Sequence, residues 1–275
     1  MLSLINNISS LNAQNNLSKT EHSLSSALQK LSSGMRINTA MDDAAGLGIS
    51  VNLESDVASY NQASRNANDG ISVTQTAEGA LNQTSAIITR LRELAMESAS
   101  DGVSNTQRAY IQTEATQLTS EIDRIANDTQ YNGTSLLNTT ASSLTFQVGI
   151  GSSTTNDQIK VGKVDATSAT LLGATALDFS TQTGAVAALG SLDTALDTVS
   201  NDRSNLGAIG NRLSDAVSTI ATISTNLSAA DSRIRDVDVA SETSNMTRLS
   251  VLAQAGVADL AQANQQPQVA LKLLQ

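Results

Sequence analysis

Between Leu206 and Leu227 apolar residues recur at alternating steps of three and four without a miss: Leu206, Ile209, Leu213, Ala216, Ile220, Ile223 and Leu227. This spacing lays one apolar stripe along a single helix, and three heptads of it favour left-handed packing against another helix. The stripe does not separate packing inside one bundle from packing between copies of the chain. Helices have room to run long, because Pro267 is the only proline.

Weaker stripes of the same kind precede and follow it. Leu17, Leu24 and Leu31 form a heptad-like set with Leu28 and Met35, and Ala77, Leu81, Thr84, Ile88, Leu91 and Ala95 step by four and three. A third set runs Ile111, Ala115, Leu118, Ile122 and Ile125, and a fourth, toward the C-terminus, Met246, Leu249, Ala253, Val257 and Leu260. Large rings are scarce, with Phe146, Phe179 and three tyrosines and no tryptophan. Thin helical layers suit such a composition better than a thick aromatic core.

The middle of the chain reads differently. Asn132-Gly133 is a turn signal, and Leu144 to Val148 alternates like a strand. Gly149 to Asp157 reads as a polar turn, followed by Ile159-Lys160-Val161, so the two runs make a hairpin. The rest, to Gly184, is rich in Thr, Ala and Gly and is expected to loop over a surface. The predicted fold is mainly α: a long antiparallel helical bundle, N- and C-terminal helices paired, with a small β-hairpin insert. A helix over Ala44 to Ala99 would be about 80 Å long, so a rod is expected. The expected division is an inner coiled-coil domain of residues 1–42 with 235–275, and an outer helical rod of 43–234 carrying the hairpin region at about 140–183.

Chemistry is hard to find. Cysteine is absent and His22 is the only histidine, so thiolate metal sites and Ser-His-Asp catalysis lack their residues. Asp236-Val237-Asp238 begins like a calcium loop, but Ala240 takes the third ligand position and no glycine follows. Capping or ion pairing with Arg36, Arg233 or Arg235 is the better reading for those carboxylates and for Asp42-Asp43. Gly46-Leu47-Gly48 is no dinucleotide fingerprint, since Val51 stands where the third glycine belongs. No catalytic residue, cofactor or metal is expected, and the chain does not read as an enzyme. A net charge of −10 argues against a nucleic-acid partner, and no stretch is apolar enough for a membrane span. The first residues lack the basic and apolar regions of a secretory signal.

Several segments go beyond composition. Leu31 to Asn38, Asp42 to Gly46 and Arg65 to Ser72 occur in an order that resembles the N-terminal region of bacterial flagellins. Glu78 to Leu81, Arg90 to Ala95 and Tyr131 to Gly133 continue the likeness. Leu206 to Ala208, Asn211 to Leu213, Ser232 to Ile234, Gln254 to Gly256 and Leu260 to Asn264 resemble the C-terminal region, as does Leu273-Leu274. One departure is Met41, where a lysine is usual in the family.

The resemblance implies a subunit that is exported and polymerises into the flagellar filament, serving motility. The related alternative is a hook–filament junction protein. It further implies a homopolymer in an extracellular filament and paired terminal helices. Export runs through the flagellar type III apparatus with a chaperone on the C-terminal segment, and hook-junction and cap proteins are further partners. Leu249, Leu252, Val257, Leu260, Leu271, Leu273 and Leu274 are expected in a terminal assembly arm, whose burial alone falls short of the entropy of ordering its backbone. The arm is therefore expected to be disordered in the free monomer and ordered in the filament. The 206–227 stripe is expected as a seam inside the outer bundle. Recognition by a host Toll-like receptor is implied through Arg90, Leu94 and Glu114, on a surface that overlaps the assembly surface.

Overall fold

The computed structural model describes residues 7–139, 142–173 and 177–273, with side chains described as far as residue 265. Helices dominate both halves of the chain: α1 (Ile8–Ser33), α2 (Ala44–Ser98), α3 (Asn105–Asp128), a single turn α4 (Ser168–Leu171), α5 (Gln182–Arg235) and α6 (Val239–Leu273). Four short strands lie between α3 and α4: β1 (Gln130–Tyr131), β2 (Thr134–Ser135), β3 (Ser143–Gln147) and β4 (Gln158–Gly162).

Local chemistry sets the helix ends. Asn7 caps α1 by accepting from the Ser10 amide at 3.1 Å, and Gly34 closes the helix in the left-handed region at φ 72°. Asp43 accepts from the amides of Ala45 and Gly46 at the start of α2, at 3.0 and 2.9 Å. Ser104 and Gln107 form a reciprocal capping box at the start of α3. Asp238 does similar work for α6, accepting from Ala240 at 3.0 Å and Ser241 at 3.3 Å. The would-be calcium carboxylate is a helix cap.

The chain forms two compact units, Met1–Val57 with Thr225–Gln275, and Ala58–Ser224. This division lies inside α2 and α5, further along each helix than the connecting segments where the sequence alone would part the chain. Two links explain the extension of the first unit. The buried Ser50 hydroxyl donates to Asp231 at 2.5 Å, and Arg235 pairs with Glu54.

The core of the second unit is continuous. Ala77, Leu81, Thr84, Ile88, Leu91 and Ala95, the stripe anticipated on α2, are all buried. Ile111, Ala115 and Ile122 of α3 meet the same core, with Leu118 half-buried against it. The β3–β4 hairpin pairs Leu144 with Val161 and Phe146 with Ile159 in antiparallel register, as the alternation predicts. It lies close over α2 because residue 70 is glycine: a Cβ there would meet Phe146 at 3.2 Å and Leu213 at 3.0 Å. β1 and β2 form a second, two-residue hairpin whose turn, Asn132 at φ 50° and Gly133 at φ 74°, has the primed geometry that Asn-Gly favours.

The described residues between 162 and 184 differ from the expected surface loop. Ala166, Leu171, Leu172 and Phe179 are buried in the core, with Phe179 fully inaccessible. Hydrogen bonds fix it there. Ser98 donates to the Phe179 carbonyl at 2.6 Å, and the Phe179 amide donates to Gln112 at 2.6 Å. In a chain with two phenylalanines, this ring is too valuable a source of burial to leave outside.

Candidate assembly surface

In the first unit α1 and α6 lie antiparallel along each other. Asn7 donates to the Ala263 carbonyl at 2.8 Å and Ser10 to Asn264 at 2.7 Å at one end; Val237 donates to the Gly34 carbonyl at 3.0 Å at the other. The tightest part of their seam is made of small residues. Ala13, Ala27 and Ala263 are buried, and a Cβ on Gly256 would sit 3.3 Å from Leu17. Of the expected stripes, Leu17, Leu24, Leu31, Leu249 and Leu260 are half-buried along this seam.

Two members of those stripes lie off this seam. Leu28 is 50% exposed and Val257 56% exposed, because Ala27 and Gly256 take the places nearest the partner helix. Leu252 of the proposed arm is likewise exposed, and so are Ile8, Leu11, Val239 and Val251. Two helices leave apolar surface on both outer sides when only one seam is closed. The side chains of Leu271 and Leu273, and the whole of Leu274, lie outside the described residues.

A clasp joins the end of α1 to the end of α5. The Arg36 amide donates to the Arg235 carbonyl, 2.6 Å, and its guanidinium to the Ile234 carbonyl, 2.6 Å. A cation at the last carbonyls of a helix complements the helix dipole. No sequence motif announces the Ser50–Asp231 link, since a serine on a helix face carries no pattern of its own.

In the second unit the 206–227 stripe is a seam that weakens along its length. Leu206, Leu213 and Ile220 are buried, and Ile209 and Ala216 pack half-buried against the same core. Ile223 and Leu227 are only half-buried, and Leu227 belongs to the first unit.

Arg90 and Glu114, on neighbouring helices, form an ion pair. The Arg90 guanidinium donates to Glu114 at 2.8 Å and to Glu93 at 3.0 Å, all three exposed. Those hydrogen bonds, Glu114 first, hold the Arg90 pKa above its ordinary value. Leu94 is a correction. It is 2% exposed and part of the core, so it presents nothing to a partner of this chain. One helical step of four from Arg90 turns it toward Leu91 and Ala95, onto the edge of the buried stripe.

Sequence reasoning also missed Arg108. It is buried near the start of α3, where it donates to the carbonyls of Ser98 and Ser100, both at 2.8 Å, and to Asn105 at 3.1 Å. It closes the end of α2 and pins the α2–α3 connection that places Arg90 opposite Glu114. His22 is exposed, and no group of three or more potential metal ligands occurs among the described residues. No helix among the described residues is long and apolar enough to cross a membrane.

Residues 5–142 match the family model described as the bacterial flagellin N-terminal helical region, and residues 189–274 match the C-terminal helical region. The chain is 44% identical over 268 residues to a flagellin of Halalkalibacterium halodurans, covering 98% of each. It belongs to the flagellin family. Another relative, the flagellar filament 33 kDa core protein of Treponema phagedenis, is 40% identical with 98% of each chain covered. The crystal structure of Bacillus cereus flagellin is 30% identical and covers 61% of this flagellin and 94% of its own chain, with a TM-score of 0.52. The two matched regions contain the α1–α6 pair, all of α2, most of α5, and Arg90 and Glu114.

Proposed function

We propose that this chain is the structural subunit of a flagellar filament, and that the α1–α6 pair is its principal assembly element. Membership of the flagellin family supports the polymer. The observation that carries the role of the pair is its exposed apolar surface: Leu11, Val251, Leu252 and Val257 lie open on helices that share one narrow seam. Full burial of each such side chain contributes about 1.5–3 kcal/mol, and a neighbouring copy is the surface that would supply it. The unit holding this pair is the inner domain of the filament in this reading, and the second unit the outer one. Flagellin relatives matched over nearly their whole length favour this over the hook–filament junction reading. Adding purified monomer to short filament fragments and following length by electron microscopy tests it. Micrometre-scale growth is expected, and fragments of unchanged length would refute the proposal.

The finer partners belong to the same proposal. The subunit leaves the cell through the flagellar export apparatus, escorted by a chaperone on the C-terminal segment, and meets hook-junction and cap proteins at the filament's ends. No step of this role calls for catalysis. A host Toll-like receptor is a further partner, with Arg90 and Glu114 as its contact residues and Leu94 as support beneath them. An exposed arginine that can offer two parallel N–H donors is a frequent hot spot. Arg90→Ala and Glu114→Ala monomers are expected to lose at least about tenfold in potency in a receptor reporter assay while melting like wild type. A silent wild type, or variants as potent as it, would remove the receptor from the list.

A further inference from the structure

We propose that Met41 is a peroxide-sensitive assembly contact, its thioether open to oxidation in the free subunit and covered by a second copy of this chain in the filament. The proposal rests on the filament reading above. Met41 is 95% exposed, against 57% for Met96, while Met35 and Met246 are half-buried. Single exposed apolar residues are common and need no explanation when the chain around them is loose. The segment around Met41 is not loose. One Asp42 oxygen accepts from the amides of Asn38 at 3.1 Å and Thr39 at 2.9 Å and from the Thr39 hydroxyl at 3.1 Å. The Asp42 amide donates back to the Thr39 carbonyl at 3.0 Å. Asp43 is engaged in capping α2. Ile37 is 2% exposed and packs so closely on Gly46 that a Cβ there would lie 2.8 Å from it.

The loop is thus pinned from both sides of Met41. Both carboxylates are turned to backbone amides, and the side chain left projecting is an unbranched apolar one that adapts its shape to whatever meets it. A second copy is the occupant because the subunit belongs to a polymer-forming family. The unit carrying this loop also leaves Val251, Leu252 and Val257 uncovered, so much of its apolar surface awaits another chain.

The chemistry is a two-electron transfer from sulfur to a hydroperoxide. The sulfur lone pair attacks one peroxide oxygen, an S–O bond forms and the O–O bond breaks. The departing hydroxide takes one proton and leaves as water while the oxygen now on sulfur gives its proton to solvent, so sulfur is oxidised to the sulfoxide and peroxide is reduced. The sulfoxide is a strong acceptor, and burying it in a site shaped for a thioether leaves it without a donor.

Wild type, Met41→Leu and Met41→Gln are compared as full-length chains. Hydrogen peroxide is applied to monomer and to filament beside N-acetylmethionine amide, and sulfoxide at each methionine is followed by peptide mass spectrometry. In the monomer Met41 is expected to react at about the rate of the free amide, and at least about tenfold more slowly in the filament. Seeded growth of peroxide-treated monomer is expected to fall for wild type and to persist for Met41→Leu, with Met41→Gln slow before any treatment. Equal Met41 oxidation in monomer and filament overturns the proposal, as does equal loss of growth by treated wild type and treated Met41→Leu. Failure of untreated wild type to grow on seeds defeats the filament reading itself, which keeps the two failures apart. Melting curves of both variants, expected to match wild type, guard against a folding defect.

Discussion

Ile220→Asp is expected to destabilise the second unit by about 3–5 kcal/mol at neutral pH, a loss large enough to move its denaturant midpoint well below that of wild type. Ile220 is 4% exposed and sits in the continuous core with Leu213 and Leu206. The substitution removes buried methyl groups and puts a carboxylate among apolar side chains. Burial raises the pKa of such a carboxyl group, so the folded variant binds its proton more readily than the unfolded one. Between the two pKa values stability then falls as pH rises, and acidification restores part of the loss by neutralising the group. Leu227→Asp, at the half-buried end of the same stripe, is expected to cost much less. Ile220→Val, which only trims a methyl group, is expected to cost about 0.5–1.5 kcal/mol. Equal midpoints for wild type and Ile220→Asp would mean that the stripe is not a seam at all.

That gradient along one stripe illustrates what the sequence could and could not tell. Heptad spacing marks which side of a helix is apolar, and every member of the α2 set from Ala77 to Ala95 is buried, with Leu94 added beside it. The Asn-Gly turn and the β3–β4 pairing were legible for similar reasons, since a primed turn and period-two alternation are local properties. The edges of a stripe are not local. Leu94 and Arg90 share nearly one direction on α2, and only the position of the core buries one and exposes the other. The α1–α6 pairing was legible, but the tightest points of its seam were not. Its closest approaches are made by Ala13, Ala27 and Gly256, and small residues carry little hydrophobic signal while the exposed Leu28 and Val257 carry a strong one. Arg108 was invisible because its partners are mainly backbone carbonyls, which no side-chain pattern reports. Phe179 belongs to an irregular segment, where periodicity has nothing to say.

Removing both terminal arms, residues 1–40 and 240–275, is expected to abolish filament growth while leaving a soluble, helical chain that unfolds cooperatively. The second unit lies wholly within what remains, and its core draws on α2, α3, both hairpins, the Phe179 segment and α5. Among the described residues no member of that core belongs to α1 or α6. The first unit is the opposite case. Among its described residues the buried apolar ones are Ala13, Ala27, Ile37 and Ala263, while larger side chains on α1 and α6 stay open. Such a unit gains little from folding alone and more from association, where each newly covered side chain adds about 1.5–3 kcal/mol. Deleting the arms therefore removes the surface whose burial drives polymerisation and spares the unit that holds itself together. Circular dichroism and denaturant unfolding of the truncated chain measure the first half of the expectation, and electron microscopy after addition to seeds measures the second. A truncated chain that still lengthened the seeds would move assembly to the second unit. A truncated chain without a cooperative transition would mean instead that its core depends on the arms.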